Sequence, residues 1–490
     1  MTQTPLAEPL RLATSAGRWV LVATILGSGL AGIDATVVGV ALPTIGRDLG
    51  ATFSGLQWTV SAYTLTLASL ILWGGAIGDR YGRRRAFLAG VVAFTAASAL
   101  CAAAPNITFL VVARAVQGVG GALLTPASLA IIESAFAPED RARAIGTWAG
   151  FSGVATALAP FVGGWVLAVA SWRWVFLINI PMAALVIALT TRHVPESRQD
   201  RIAGARSGAS DWQGAVLTVI GLGTLTWAAL GSSGGGAVLE RVVAVCVAVV
   251  AFSAFVLVER RSDHPLVPLG LFADRVFSVT NVATFVLYGA LGCFFFLLVI
   301  ALQIICGFTP LAAGAATLPV TVLTLLLSAR SGELAARIGP RLQMSVGPLL
   351  CAIGVILTLR LSPHSSYWAD VLPAICLFGL GLAAFVAPLT STALSTAPIE
   401  NAGVASGVNN AVARSGTLLA VAVIPVLTGL SGAAYEDVGS FQDGYRACTW
   451  VIAVLLVGAS AIAVVGLPRV CRPLRAPRCR PDPVAGSPGH

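Results

Sequence analysis

The sequence predicts an all-α membrane protein of fourteen transmembrane helices: two six-helix bundles related by pseudo-twofold symmetry, plus an inserted two-helix hairpin. Three observations predict it: a scarcity of charge, a run of apolar segments of spanning length, and an internal repeat. Charged types make up 10% of the 490 residues and apolar types 57%, with a mean hydropathy of +0.88. A soluble domain carries roughly 25% charge, so a water-exposed surface cannot be built here and a soluble enzyme is excluded. The 52 glycines and 26 prolines suit membrane helices, which tolerate both.

A hydrocarbon core of about 30 Å takes about 20 helical residues. Apolar runs place spans at 19–42, 55–77, 86–104, 107–131, 144–168, 173–191, 212–232, 238–258, 276–302, 308–328, 343–361, 370–390, 404–429 and 446–467. The chain thus divides into an N-terminal segment (1–18), a first bundle (19–191), a polar connector (192–211), the inserted hairpin (212–258), a second connector (259–275), a second bundle (276–467) and an Arg/Pro/Gly-rich tail (468–490) expected to be disordered.

There is no lysine, so all 30 basic residues are arginine. A phosphate-cradling P-loop needs a lysine, which excludes ATP-driven pumping by this chain alone. The nine cysteines are odd in number and scattered, and the four histidines are far apart. Neither a complete disulfide framework nor a metal site is expected. With the N-terminus cytoplasmic, 23 arginines fall on the cytoplasmic side and five on the other (Arg47, Arg173, Arg241, Arg360, Arg446). The positive-inside rule then sets both termini in the cytoplasm. Anionic inner-leaflet lipid accounts for the net charge of +9 without a nucleic-acid partner.

The segment Gly75-Ala-Ile-Gly-Asp79-Arg80-Tyr-Gly82-Arg83-Arg84-Arg85 recurs 257 residues later as Gly332-Glu-Leu-Ala-Ala336-Arg337-Ile-Gly339-Pro-Arg341. Paired repeats of this kind belong to secondary transporters that bind substrate near the midplane between the halves.

Together these features resemble the major facilitator superfamily, in particular its 14-span drug:proton antiporter branch. The Gly75–Arg85 segment resembles the family's span 2–3 signature. Arg114-Ala-Val-Gln117-Gly118-Val-Gly120-Gly121 resembles the span 4 motif. Gly146, Pro160, Gly163 and Gly164 match the span 5 antiporter motif, with Ala155 and Ala159 where glycines are usual. Asp34-Ala-Thr36-Val-Val-Gly39-Val-Ala41-Leu42-Pro43 is similar to the span 1 motif of that branch, with Gly39 in place of an asparagine. Trp172-Arg-Trp174-Val-Phe176-Leu-Ile-Asn179-Ile-Pro181 resembles the branch's entry into span 6.

Asp34 is the one acid well inside a span, and an ionisable group at membrane depth marks function by default. It lies ~12 Å from the outer end of span 1, and Arg114 lies ~10 Å into span 4 from the same side, at 1.5 Å per residue. The two charges share a level and are expected to meet. Burial favours the neutral carboxyl and a neighbouring guanidinium favours the anion, so the pair reads as a proton switch. The other reading is a static ion pair that fixes helix register. One proton descending ~150 mV supplies about 3.5 kcal/mol, enough for roughly a 300-fold gradient of a neutral substrate.

Gly75, Asp79, Arg80, Gly82 and Arg83 read as a cytoplasmic gate, in which Asp79 receives an arginine or a helix N-terminus; the second copy has Ala336 there. Gly146, Pro160, Gly163 and Gly164 read either as a kinked seal against leak or as ordinary small-residue packing. Gln117, Trp58, Tyr63, Asn409, Asn410 and Arg414 are candidate lining of a substrate cavity. Trp172, Trp174, Tyr367, Trp368 and Trp450 read as interfacial anchors. Glu133 is expected at the interface, paired with loop arginines.

The function expected is proton-coupled efflux of lipophilic neutral or monocationic drugs across the cytoplasmic membrane by alternating access. The rival within transport is export of a specific endogenous metabolite, anionic if Arg114 and Arg414 bind it. A non-transporting membrane scaffold or receptor is the reading from a different class. No catalytic residue, metal or cofactor is expected beyond the proton as coupling ion. The partners expected are a small-molecule substrate and membrane lipid, with the chain acting as a monomer.

Overall fold

The computed structural model describes residues 10–197, 212–231, 238–262, 265–395, 402–430 and 437–468. The tail expected to be disordered and most of the connector 192–211 lie outside the described residues. Fourteen helices are long and apolar enough to cross a membrane, and among the described residues there is no β-strand. They are α1 (Ser15–Leu49), α2 (Phe53–Tyr81), α3 (Arg83–Ala102), α4 (Ile107–Ala135), α5 (Pro138–Val169), α6 (Trp174–His193), α7 (Trp212–Leu230), α8 (Val238–Arg261), α9 (Arg275–Ile304), α10 (Pro310–Ala335), α11 (Pro340–Arg360), α12 (Tyr367–Leu394), α13 (Val404–Leu427) and α14 (Val438–Gly466).

Many helices outrun the apolar stretches that announce them, because polar caps lie further out. Thr14, Thr52, Asn106, Asp274 and Asp437 each accept a hydrogen bond from a first-turn backbone N–H, satisfying a donor that would otherwise lack a partner. Pro43 leaves α1 unbroken, and the helix ends at Gly50, whose φ is +57°. Two spans are interrupted instead: α6 at Ile178, just before Asn179, and α10 at Thr317.

The packing repeats itself. Within the first bundle α1 lies against α4, α5 and α6, α4 against α2 and α3, and α3 against α6; the second bundle repeats each pair eight helices on. The bundles meet through α2 with α13 and through α5 with α10, which are the same contact seen from either half. The repeated loop motif has a matching backbone: Gly82 (φ +112°) is the single residue between α2 and α3, and Gly339 (φ +87°) separates α10 from α11. Both positions lie where only glycine is unstrained. The hairpin of α7 and α8 covers the α2–α13 seam through α7, where the Ser54 hydroxyl donates to Leu230 O at 2.9 Å.

We refer to the end bearing Asp79 and Arg83–Arg85 as the arginine-rich end and to the other as the distal end. On the distal half the bundles share one apolar core. Phe53 of α2 packs edge-on against Phe296 of α9 and Phe441 of α14. Gln57 donates to Val421 O at 2.7 Å, and Gln303 to Val40 O at 3.1 Å. On the arginine-rich half the first bundle keeps a separate core.

The contact between α5 and α10 follows the same division. At its distal end a Cβ on Gly164 would lie 2.5 Å from Leu311 Cα, and one on Gly314 would lie 2.2 Å from Pro160 O. Further along α5, a Cβ on Gly146, Gly150 or Gly153 would meet nothing within 4 Å. Crowding backbone against backbone costs about 1–3 kcal/mol, whereas alanine in place of an open helical glycine gains roughly 0.5–1 kcal/mol. Gly164→Ala is therefore expected to lower the thermal unfolding midpoint in detergent, and Gly153→Ala to leave it unchanged or raise it.

Candidate functional site

Asp34 and Arg114 do meet. Arg114 Nη1 donates to Asp34 Oδ2 across the α1–α4 contact, and each residue is 1% exposed. The carboxylate faces the interior of the first bundle and not lipid. Its other oxygen accepts from Gln117 Nε2 at 2.8 Å and from Asn179 Nδ2 at 2.9 Å. Ser98 Oγ accepts from the same two amides at 2.8 and 3.2 Å. The guanidinium is held through Nε and Nη1: Nε donates to Thr59 O at 3.1 Å, Nη1 also donates to Gln117 Oε1 at 2.6 Å, and Cζ stands 4.3 Å over the Tyr63 ring.

Five of the six helices of the bundle contribute: α1 with Asp34, α2 with Thr59 and Tyr63, α3 with Ser98, α4 with Arg114 and Gln117, and α6 with Asn179. A buried ion pair is tolerated when its spare lone pairs and protons are also hydrogen-bonded, and here nearly all are. Two groups stand apart: Arg114 Nη2 has no hydrogen-bond partner among the described residues, and Asn179 Oδ1 is buried with none.

Gln117 and Tyr63, expected on a cavity wall, therefore belong to this cluster: Gln117 lies one turn from Arg114 and shares its face. Ser98, Thr59 and Asn179 were missed as site residues. Asn179 had a signal, a polar residue inside a span just before Pro181; Thr59 contributes only its carbonyl, which no sequence pattern marks. Trp58 is half-buried on α2. Asn409 bridges α13 to α9, donating to Asn281 Oδ1 at 3.1 Å and Thr284 Oγ1 at 2.9 Å. Arg414 is half-buried, with Nε donating to the exposed Asn410 Oδ1 at 2.8 Å.

At the arginine-rich end, Arg83 Nε and Nη2 reach Asp79 Oδ1 at 3.0 and 2.9 Å, and Nη1 donates to Ala130 O of α4 at 3.1 Å. Arg80 lies against the Tyr81 ring, and Gly75 packs against Pro126. The chain leaving α6 straps the loop down. Glu196 Oε1 accepts from Arg84 N at 3.1 Å, and Ser197 O accepts from Arg83 N at 3.0 Å. Glu196 fills the space where a Cβ on Gly82 would stand. Glu133 is close enough to Arg83 and Arg141 for their fields to act on it, but it forms no ion pair among the described residues. Of the antiporter-motif residues, Gly163 packs on Val37 of α1, Gly164 and Pro160 on α10, and Gly146 faces open space.

One expected anchor is a strut. Trp172 is buried and donates from Nε1 to Asp48 Oδ2 at 2.7 Å, with Arg173 on the same oxygen at 3.0 Å. The flanking carboxylate draws the indole inward. Trp174, Trp368 and Trp450 are exposed, as an interfacial role requires.

Two repeated bundles joined through two equivalent helix pairs, with a charge cluster sealed in one of them, define a membrane transporter of small molecules and not an enzyme. The family model of the Major Facilitator Superfamily matches residues 24–421, and the chain belongs to that family; its fourteen spans fit the drug:proton antiporter branch. It is 36% identical over 411 residues to the multidrug resistance protein Stp of Mycobacterium tuberculosis, covering 82% of this chain and 74% of that one. It is 37% identical to the puromycin resistance protein pur8 of Streptomyces alboniger (86% and 84% covered) and 32% identical to the multidrug efflux pump LfrA of Mycolicibacterium smegmatis (94% and 98%). Among solved structures, an inward-facing bacterial homologue of the lysosomal transporter Spinster superposes with a TM-score of 0.65 at 17% identity, covering 93% of this chain and 97% of that one. A D-xylose–proton symporter gives 0.66 at 15%, covering 93% and 99%.

Removing one member of a buried pair strands the other charge and costs about 3–5 kcal/mol. Asp34→Asn and Arg114→Gln should each destabilise the protein by that order. The double variant should recover most of the loss, a coupling that a thermal double-mutant cycle in detergent measures directly.

Proposed function

We propose that this protein is a drug exporter of the bacterial inner membrane, coupling efflux to proton entry by alternating access. Both termini and the arginine-rich end lie in the cytoplasm. The observation that carries this reading is the sealed Asp34–Arg114 pair, a single deep carboxylate held inside one of two bundles that can tilt on each other. When Arg114 withdraws and the carboxyl takes up a proton, a half-turn of the Asn179 amide brings its unpartnered oxygen round to accept the new O–H.

The bundles of residues 19–191 and 276–467 are the moving halves, with 212–258 riding on the α2–α13 seam. The parting of α5 from α10 along the arginine-rich half supports a cleft open to the cytoplasm, with Gly163, Gly164 and Pro160 sealing the distal end. Gly146 lies in the half of α5 that closes on α10 in the opposite state. Gly75, Asp79, Arg80, Gly82 and Arg83 form the gate that this closure engages. The transporter acts as a monomer. Arg114, Gln117 and Asn179 close over Asp34 in this conformation, so a drug cation reaches it only after the pair opens.

Puromycin, for which a 37%-identical relative is named, is the first probe. A pH gradient imposed on proteoliposomes should drive its accumulation through the wild type. The Asp34→Asn variant should lose gradient-driven accumulation by roughly 100-fold, a typical loss when a positioned proton carrier is removed. Unchanged proton-driven flux in the variant would overturn the coupling.

A further inference from the structure

The second bundle holds a cation at membrane depth that the proton cluster does not use. On α13, Gly407 lies against Leu72 of α2, and Val421 accepts from Gln57 of α2. Arg414 is seven residues from each. Seven residues are nearly two full turns, so Arg414 shares the face turned to α2 and sits midway along the seam, ~10 Å from either contact.

A second face of α13, with Asn409 and Thr417, is bound to α9 through Asn281, Thr284 and Tyr288 O. At 100° per residue, Asn410 falls between the two faces and Arg414 borders it. Both therefore lie on the part of α13 turned toward α2 and the adjoining edge of α9. The lipid side of the seam is covered by α7.

A guanidinium carries five N–H donors and no acceptor. Arg414 spends Nε on Asn410, and its remaining four N–H groups have no bonded partner among the described residues. No carboxylate pairs with it among them. Asp34, the deep acid, is already neutralised by Arg114. A half-buried fork of unused donors, with no acid to balance it, is built for a planar oxygen acceptor.

We infer that Arg414 and Asn410 form the substrate subsite for a carboxylate or enolate oxygen, so that organic anions, and not lipophilic cations, are the preferred ligands. The inference rests on the transporter reading above and gives its substrate class. Arg414 fixes the acceptor oxygens in bidentate fashion, and Asn410 orients the fork.

The test uses three fluorescent probes on one aromatic body: 1-pyrenebutyrate, its primary amide and pyrenebutyltrimethylammonium. Binding to the purified protein in detergent, without any gradient, is read for the wild type, Arg414→Gln and Arg414→Lys. Binding needs no proton flux, so a failure of proton coupling leaves this readout intact. The wild type should prefer the carboxylate to the ammonium probe by at least tenfold. Loss of a charge-assisted pair should weaken the carboxylate by roughly 10- to 100-fold in Arg414→Gln, with the amide changed less and the ammonium probe unchanged or improved. Arg414→Lys keeps the charge but loses the fork, and should give an intermediate loss confined to the carboxylate. If Arg414→Gln does not fold, the lysine variant and the wild-type probe order still decide. A wild-type preference for the ammonium probe, or equal losses for all three probes in either variant, would sink the inference.

Discussion

The first bundle is organised around one electrostatic constraint: a carboxylate and a guanidinium taken out of water at membrane depth. Stripping two ions of water is expensive, and mutual attraction offsets the cost only when the remaining lone pairs and protons also find partners. Meeting that requirement takes side chains from α1, α3, α4 and α6, a carbonyl from α2 and the face of Tyr63. The cluster therefore dictates how five helices sit. It also explains the break in α6: Asn179 opens the second segment of that span, where its amide reaches both Asp34 and Ser98. A protonation change at such a site cannot stay local, because the carboxyl is bonded directly to α4 and α6 and, through Arg114, Gln117 and Asn179, to α2 and α3.

The backbone is symmetric and the chemistry is not. Helix pairs repeat eight helices on, and Gly82 and Gly339 adopt matching left-handed turns. Yet α9, the counterpart of α1, carries no acid, and Ala336 stands where Asp79 does. At membrane depth the second bundle contributes the cation Arg414 instead. In the proposed cycle, Asp34 in one half and Arg414 with Asn410 in the other would divide proton handling from substrate handling across the seam along which the halves touch. Tyr63 lies on the first-bundle side of that division, its ring against Arg114.

Much of this was legible in the sequence because membranes impose few and strict rules. Spans announce themselves by length and apolarity, which is why all fourteen were found. The Asp34–Arg114 contact followed from depth alone, since charges at one level in neighbouring helices have few other partners. What was not legible depended on azimuth and on backbone. Gln117 and Tyr63 looked like cavity lining until their helical faces were known, and Trp172 looked like an anchor until Asp48 was found beside it. Thr59 acts through a carbonyl, and Glu196 reaches the α2–α3 turn from beyond α6; neither is encoded in a local motif.

The glycines of α5 show how such a molecule can be firm at one end and free at the other. Gly163 and Gly164 let backbones cross closely at the distal end, where dispersion contacts are short and numerous. Gly146, Gly150 and Gly153, on the same helix, meet nothing. A helix with small residues along its whole length but a close crossing with α10 on only half of it has a second set of equivalent contacts to make. Closing the arginine-rich half while opening the distal half would exchange one backbone crossing for another of the same kind, at little net change in buried surface. The energetic bias between the two states would then fall to groups whose surroundings differ most between them, and Arg414, fixed halfway along the seam with most of its donors unused, is the residue whose occupancy by a ligand would be felt by both halves.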